Sequence, residues 1–462
     1  MSKTQTIDRT KELGTKDIGK LLMQYALPAV VAMTASSLYN IVDRIFIGHI
    51  GDNTGEGALA LSGLAVTFPI MNLSAAFGAM VGVGGSTYMS VKLGQKDNVA
   101  AEHTLGNVVT LNIIVGLVLA VFGILFIDNL LYFFGASELT VGYAREYMFV
   151  ILLGNVITHL YLGLNATLRS TGHPHIAMIA TIGTVIINSI LDPLFIFTFG
   201  LGIRGAAIAT ILAQVFALAY VWIVMSNKND LIHLHKGIYK LKSRIVHNIL
   251  KIGMSPFLMQ LCACVVVILI NKGLQTHGGD IAIAAYGIIN GITFLFLMIV
   301  MGICQGMQPI AGYNYGAQLY PRVNKVLRYC IIYATIVMVI SFLVCELIPH
   351  LPILLFTSDP KLTELSIEGM RLIQLVSPLI GFAIVVGHFF QSIGLAKKSI
   401  FLSLCRQLIF LIPFLLIFPD FWGTAGVWLS IAVSDFISVL FAGGMLWHFY
   451  HSGGLSTVKS LD

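Results

Sequence analysis

Long apolar stretches recur along almost the whole chain, and short polar segments separate them. A helix needs about 20 apolar residues to cross a membrane, and each stretch is at least that long. Apolar residues run continuously instead of alternating with polar ones, which indicates helices and not membrane-spanning strands. The pattern predicts an all-α polytopic membrane protein with twelve transmembrane helices. The stretches lie at about 20–47, 59–88, 104–127, 140–167, 174–199, 203–226, 245–272, 281–310, 322–348, 364–392, 395–418 and 423–448.

Composition agrees with a membrane protein and excludes an ordinary soluble domain. Of the 462 residues, 57% are hydrophobic and only 10% are charged, whereas a soluble domain carries roughly 25% charged residues. Mean hydropathy is +0.88. The N-terminal residues lack the short apolar core of a cleavable signal peptide, so the first helix is expected to direct insertion.

The distribution of lysine and arginine predicts the orientation in the membrane. Twenty of the 27 basic residues fall on the side of the N-terminus. The opposite loops and helix ends hold five, and two lie within spans: Arg145, Arg204, Lys272, Lys361 and Arg371, then Arg44 and Arg406. By the positive-inside rule, we expect both termini to be cytoplasmic. The formal charge of +6 follows from this topology and requires no nucleic-acid partner.

The two halves of the chain repeat each other. Nine matched positions occur in the same order at offsets of 220–224 residues: Gly63/Gly287, Gly78/Gly302, Gly82/Gly306, Gly94/Gly316, Ser170/Ser392, Gly172/Gly394, Pro193/Pro413, Gly202/Gly423 and Gly205/Gly426. We therefore predict two pseudo-symmetric six-helix lobes around a central cleft, at 1–226 and 245–462, with a cytoplasmic linker at 227–244. Six helices per lobe make the repeat parallel, an arrangement found in transporters.

No motif for ATP use or enzymatic chemistry accompanies this architecture. The sequence contains no phosphate-binding G-x-x-x-x-G-K-[ST], and Gly200–Gly205, although it fits G-x-G-x-x-G, lies in a loop with no strand before it. There is no H-E-x-x-H or G-x-S-x-G, and His159 and His388 stand alone as expected core residues. The six cysteines show no metal-ligand spacing. We expect that the protein is not an enzyme and uses no cofactor. The remaining ways to move a substrate are transport driven by an ion gradient and passive conduction.

Two aspartates interrupt apolar stretches in the first half. Asp43 lies within LYNIVDRIFIG and Asp192 within INSILDPLFIF. A carboxylate at membrane depth costs about 2.5–3.5 kcal/mol on insertion scales, so it marks an ion or substrate pathway by default. Counting residues along the helices places Asp43, Asp192 and Thr210 at comparable depth in the membrane. Four-residue spacing puts Asn188 on the same helix face as Asp192, and Tyr39 on the same face as Asp43. This group fits a proton site or a Na⁺ site with oxygen ligands; a neutral packing network is the alternative.

Further polar and kinking residues surround this group in the prediction. Tyr147 lies at similar depth on the fourth helix, and Asn155 would continue its face two turns further in. Pro28 removes a backbone hydrogen bond fifteen residues before Asp43, which predicts either a hinge or a static kink.

In the second half, Arg406 and Asp435 both fall near mid-membrane on neighbouring antiparallel helices. We predict that they form a structural ion pair.

Several motifs together resemble the multidrug and toxic compound extrusion (MATE) family, and most of all its DinF-like branch. They are Tyr39-Asn40-Ile41-Val42-Asp43-Arg44, Gly94-Gln95, Asn188-x-x-x-Asp192-Pro193 and Arg204-Gly205-Ala206-Ala207-Ile208-Ala209-Thr210. The resemblance implies an antiporter that expels hydrophobic, often cationic compounds in exchange for H⁺ or Na⁺, with the cation site at Asp43, Asn188, Asp192 and Thr210. It also implies that Pro28 matches the proline whose bending has been proposed as the coupling motion.

The NorM-like branch carries acids in its seventh and tenth helices. In this chain the seventh helix reads CACVVVILINKG, and the tenth has no Asp or Glu between Arg371 and Gln391. The resemblance therefore assigns coupling to the first lobe. Residues expected to support the ion site or line the drug cavity are Tyr39, Asn40, Tyr147, Asn155, Met71 and Met254, with Phe68, Phe257 and Met301 as further candidates. The expected partners are small amphiphilic cations and membrane lipid. The resemblance also implies a bacterial or archaeal cytoplasmic membrane, and the chain is expected to be a monomer. The alternatives are an exporter or flippase of an endogenous metabolite or lipid-linked substrate, or a passive pore.

Overall fold

Helices make up the regular structure of the computed structural model, which describes residues 8–51, 56–357 and 359–453. In chain order they are α1 (Lys11–Thr15), α2 (Ile18–Gly48), α3 (Glu56–Gly94), α4 (Asn98–Leu125), α5 (Ile127–Phe133), α6 (Val141–Leu153), α7 (Asn155–Ser170), α8 (Pro174–Pro193), α9 (Gly202–Met225), α10 (Ser243–Gly316), α11 (Tyr320–Leu347), α12 (His350–Leu354), α13 (Pro360–Gln374), α14 (Ser377–Ser392), α15 (Ala396–Leu404) and α16 (Ile412–His451). Wider π-helical turns follow α8 at Leu194–Thr198 and join α15 to α16 at Cys405–Leu411.

The number of spans within these residues agrees with the predicted twelve. Eight helical stretches are long and apolar enough to cross a membrane, and two bent pairs, α6 with α7 and α13 with α14, add one span each. Two of the eight stretches, Ser243–Gly316 and Ala396–His451, are far longer than one crossing. Each is broken at a glycine with positive φ, Gly279 at 63° and Gly423 at 57°, a conformation that glycine adopts without strain. Each of these stretches therefore supplies two spans.

Acidic residues begin several of the helices. Asp17, Asp97 and Asp359 precede α2, α4 and α13, and each side chain accepts a hydrogen bond from a backbone N–H of the first turn at 3.0, 3.0 and 2.8 Å. Such caps satisfy N–H groups that have no partner within the helix.

Contacts divide the chain into two compact units. The first unit contains the residues up to Lys16 together with Val31–Phe257, and the second contains Asp17–Val30 and the chain from Leu258 onward. The boundaries therefore fall inside α2 and α10, whereas the predicted lobes divide within 227–244. Pro28 lies two residues before the boundary in α2, and Pro256 lies immediately before Phe257 in α10. Each helix thus changes unit where a proline removes a backbone hydrogen bond.

Small residues allow the first part of α2 to pack closely within the second unit. A Cβ at Gly302 would lie 2.6 Å from Cα of Val30, and one at Gly306 would lie 2.6 Å from Cα of Ala26. No real Cβ approaches backbone atoms so closely, so only glycine fits. The spacing is that of small-residue helix packing in membranes.

The polar segment between α9 and α10 packs against α4 in the first unit. Asn107 donates from Nδ2 to the carbonyl of Lys240 at 3.1 Å and accepts from the backbone N–H of Lys242 at 2.9 Å. Thr110 donates to the carbonyl of Tyr239 at 2.8 Å. The predicted linker is therefore fixed to the first unit by hydrogen bonds.

A buried acid anchors the start of the same segment. Asp230 lies 3.6 Å from Nε of Arg9 and 3.5 Å from Nε2 of His173. Burial lowers the pKa of the His173 imidazole, and the Asp230 carboxylate opposes that change. The contacts join the N-terminal segment, the turn before α8 and the linker within the first unit.

Candidate functional site

The site in the first unit is built on a pair of carboxyl groups. Asp43 comes from α2 and Asp192 from the last turn of α8, and their side chains lie within hydrogen-bonding reach of each other. Asp192 is completely buried and Asp43 is 6% exposed. Two buried acids in contact repel each other when both are ionised, so the arrangement favours a bound proton or cation.

Amide and hydroxyl groups complete the site. Nδ2 of Asn188 donates to Oδ1 of Asp192 at 3.1 Å and to Oγ1 of Thr210 at 3.4 Å. The hydroxyls of Tyr39 and Thr210 are 3.1 Å apart. Tyr39 precedes Asp43 by four residues on α2, and Asn188 precedes Asp192 by four on α8, so each pair shares a helix face. The structure thus brings together all of the predicted cation-site residues.

Three buried oxygen atoms of the site have no hydrogen-bond donor among the residues that the structure describes. They are Oδ1 of Asp43, Oδ1 of Asn188 and Oδ2 of Asp192. Leaving a buried acceptor without a partner costs about 1–3 kcal/mol. The Asn188 amide nitrogen donates both hydrogen bonds described above, so its oxygen remains available as an acceptor. A proton or a small hard cation would satisfy these atoms.

Tyr147 and Asn155 occupy different surroundings. Tyr147 is buried and within electrostatic range of Asp43 and Asp192. Asn155 begins α7, which is bent by 55° from α6. The bend at Gly154 breaks the continuous helix face that the sequence predicts for the two residues, so Asn155 joins a separate network.

That network centres on Ser74, which the sequence reasoning missed. Its hydroxyl donates to Oδ1 of Asn155 at 2.9 Å and lies 3.1 Å from Nε2 of His159. Asn155 in turn donates to the carbonyl of Gly116 at 3.2 Å. Ser74 lies within an apolar stretch, and a polar side chain there was the available signal. The contacts join α3, α4 and α7.

The structure describes the surroundings of some of the predicted cavity residues in the first unit. Met71 packs against the core of this unit, and its sulfur accepts a hydrogen bond from Thr67 at 3.8 Å. Met254 is half-buried, and the Asn40 side chain lies outside the described residues. The guanidinium of Arg44 lies 5.6 Å from the ring centre of Phe68, and both line a cavity of about 750 Å³.

In the second unit, Arg406 and Asp435 form the contact that the sequence predicts. Nε of Arg406 donates to Oδ1 of Asp435 at 2.6 Å. Asp435 is 3% exposed. Burial of a carboxylate is tolerated when a cation is this close.

Metal-binding chemistry of the usual kind is not evident in the described ranges. Within them, no group of three or more His, Cys, Asp or Glu side chains is arranged to hold a metal ion, and all six cysteines are free thiols. A cation at Asp43 and Asp192 would therefore depend on the amide and hydroxyl oxygens as well.

Comparisons with known proteins match both halves of the chain to the same family. The family model MatE matches residues 28–194 and again residues 252–417. The two matches begin 224 residues apart, which is also the offset of the pairs Gly63/Gly287, Gly78/Gly302 and Gly82/Gly306. The chain therefore contains two copies of one family unit.

Individual relatives match over nearly their full length. Multidrug export protein MepA of Staphylococcus haemolyticus (strain JCSC1435) is 28% identical over 425 residues, covering 92% of this chain and 92% of that protein. A ligand-bound structure of the MATE multidrug transporter DinF-BH is 32% identical with a TM-score of 0.87, covering 96% of this chain and 98% of the other. An outward-facing multidrug resistance MATE transporter of the MOP superfamily is 25% identical with a TM-score of 0.90, covering 98% and 100%.

These matches establish the twelve-helix, two-lobe transporter fold and identify a multi-pass membrane transporter, not an enzyme. The aspartate motifs, the duplication and the matches to both halves lead to one assignment. This chain belongs to the MATE family of membrane transporters.

Proposed function

We propose that the protein is a secondary active multidrug efflux transporter that exports hydrophobic, cationic compounds in exchange for an ion. The relatives named as multidrug export proteins support the export of drugs. The buried carboxyl pair supports the ion coupling, because two buried carboxyl groups in contact are stable only when they hold a proton or a cation. Binding and release of that ion can be linked to the export of a drug.

The observation that carries the proposal is the contact between Asp43 and Asp192. With both groups ionised, their repulsion in a low-dielectric interior is unfavourable. One proton between them removes the repulsion and supplies a donor. A Na⁺ ion would do the same through oxygen coordination. We favour the proton, since a direct contact between two carboxyl groups is the geometry in which one proton is shared.

Exchange follows if drug and ion compete for the same state of the transporter. An ion bound at the pair stabilises one conformation, and a bound drug stabilises the other, so each promotes release of its competitor. The Arg406–Asp435 pair is already neutral and is not needed for this coupling. We further propose a monomer in the cytoplasmic membrane of a bacterium or archaeon, with both termini cytoplasmic.

The test is transport in proteoliposomes under a pH gradient and a Na⁺ gradient imposed separately. The proposal expects uptake of a fluorescent cationic dye against its concentration gradient under one of them, and none in Asp43→Asn liposomes. Asp128→Asn is the matched control, because Asp128 forms an exposed contact with Arg145 away from the site. Gradient-driven uptake by Asp43→Asn at the normal rate would reject coupling through this pair.

A further inference from the structure

The second unit contains a cavity to which the proposed coupling assigns no role, and Met301, a predicted drug-cavity residue, lines it. Its volume is about 410 Å³, and residues between Met259 and Ala442 line it. All of them belong to the second unit. Small-molecule sites in proteins occupy about 300–1,000 Å³, so this cavity is large enough for a drug-sized ligand.

One part of the lining presents acceptor oxygens that have no donor. Oε1 of Gln374, Oγ of Ser377 and Oε1 of Gln407 are buried, and none has a hydrogen-bond partner within the described part of the chain. Gln374 and Ser377 are only 1% and 2% exposed. Nε2 of Gln374 donates to Oγ1 of Thr293 at 2.9 Å, which fixes the amide and leaves its oxygen free. Buried polar atoms nearly always have partners in folded proteins, so this set calls for a ligand that supplies donors.

The charged residues of the lining add no net charge. Arg406 and Asp435 both line the cavity, and they neutralise each other through their 2.6 Å contact. A ligand is therefore recognised here by its hydrogen-bond donors and not by a single opposing charge. An amine with N–H groups meets that requirement, since amide oxygens only accept hydrogen bonds.

The remaining lining is mixed: it has further polar side chains, such as Gln260, Asn290 and Gln391, and an adaptable apolar part. It includes four methionines and a phenylalanine: Met259, Phe294, Met298, Met301 and Met338. Thioether side chains are flexible and polarisable, and they are common on surfaces that bind varied ligands. The apolar part thus fits a flat aromatic or aliphatic body without selecting one shape.

We propose that this second-unit cavity binds amphiphilic amines, with their N–H groups donating to Gln374, Ser377 and Gln407 and their apolar bodies against the methionines. The identity of these amines as exported substrates rests on the proposed efflux function. The binding itself does not require Asp43 or Asp192. The cavity would therefore select among drugs by N–H donors while the carboxyl pair handles the ion.

A matched pair of fluorescent dyes tests the donor requirement on the purified full-length transporter. Proflavine carries two primary amines on an acridine ring, and acridine orange is the same ring with both amines dimethylated. We expect proflavine to bind about tenfold more tightly, and Gln374→Leu to remove that preference. Gln275→Leu, an exposed glutamine in α10, is the control and keeps the preference. Equal affinities for the two dyes, or an unchanged preference in Gln374→Leu, would overturn the proposal.

A cavity-filling variant tests the location. A Cβ at Gly387 would have no heavy atom within 4 Å, and Gly387 lines the cavity, so Gly387→Leu fills the space. Gly444 also has nothing within 4 Å of its Cβ position and does not line the cavity, which makes Gly444→Leu the control. We expect Gly387→Leu to weaken both dyes at least tenfold and Gly444→Leu to weaken neither. Wild-type binding by a monodisperse Gly387→Leu protein would place the binding site elsewhere. If that variant does not fold, the location is tested by the dye preference of Gln374→Leu instead.

The same binding assay separates this inference from the proposed function. Asp43→Asn should lose ion-driven transport yet keep the preference for proflavine over acridine orange, because the donor contacts lie in the second unit. Loss of that preference in Asp43→Asn would move the amine site to the carboxyl pair and overturn the second-unit assignment. If neither gradient drives dye transport, the proposed efflux function is rejected. The cavity proposal is then still tested by the preference for proflavine and by its loss in Gln374→Leu.

Discussion

Asp43 and Asp192 lie 149 positions apart in the sequence, yet their carboxyl groups are within hydrogen-bonding reach of each other in the first unit. A shared proton makes the pair one functional group. Asp43→Asn and Asp192→Asn should therefore each abolish gradient-driven dye uptake, and the double variant should be no worse than either single one. Residues that act as a unit are non-additive in this way. Initial uptake rates in proteoliposomes provide the measurement, and multiplying losses would show that the two acids act independently.

The Thr210 hydroxyl connects Asn188 with Tyr39, so its removal should disturb both. Thr210→Val keeps the shape and removes the hydroxyl, and we expect the rate of gradient-driven uptake to fall about fivefold or more, since a lost buried hydrogen bond costs roughly 1 kcal/mol or more. Thr210→Ser retains the hydroxyl and should keep most of the rate. If valine and serine variants transport equally well, the hydroxyl has no role in coupling.

The Arg406–Asp435 pair gives a prediction about stability. Arg406→Met leaves Asp435 buried without its cation, and removing one partner of a buried pair costs about 3–5 kcal/mol. Because the Arg406 side chain is 32% exposed, we expect the lower end of that range. Arg406→Met with Asp435→Leu should recover most of the loss. Thermal unfolding of the purified variants in detergent measures this, and a double variant no more stable than Arg406→Met would contradict it.

Gly302 should tolerate no side chain. Gly302→Val would place atoms against the backbone of Val30, where neither helix can yield cheaply, and overpacking costs about 1–3 kcal/mol. Gly287 lies in the same helix with nothing within 4 Å of its Cβ position, so Gly287→Val is the control. Unfolding temperatures of the two variants are compared. Equal stability would show that α2 moves away from Gly302 at little cost.

Much of this structure could be predicted from the sequence. Continuous apolar runs predict the helices because lipid leaves few alternatives for the backbone. Asp43 and Asp192 could be placed together because buried acids are rare, and four-residue spacing predicted their neighbours Tyr39 and Asn188. Each of these inferences depends only on one helix or on membrane depth.

The missed features depend on contacts between helices. The bend at Gly154 separates Asn155 from the Tyr147 face, and a single glycine in an apolar run does not reveal whether a helix bends. Ser74 is an ordinary residue until Asn155 and His159 approach it. The acceptor oxygens of Gln374 and Ser377 likewise gain their significance only when α13 and α14 pack around the second-unit cavity.

The boundaries inside α2 and α10 have a consequence for separating the two halves of the chain. Each half of the sequence contributes a short arm to the other compact unit, Asp17–Val30 in one direction and Ser243–Phe257 in the other. A single half expressed alone lacks the arm that its own unit requires. Both units receive their arms only when the two halves are present together, as they are within one polypeptide.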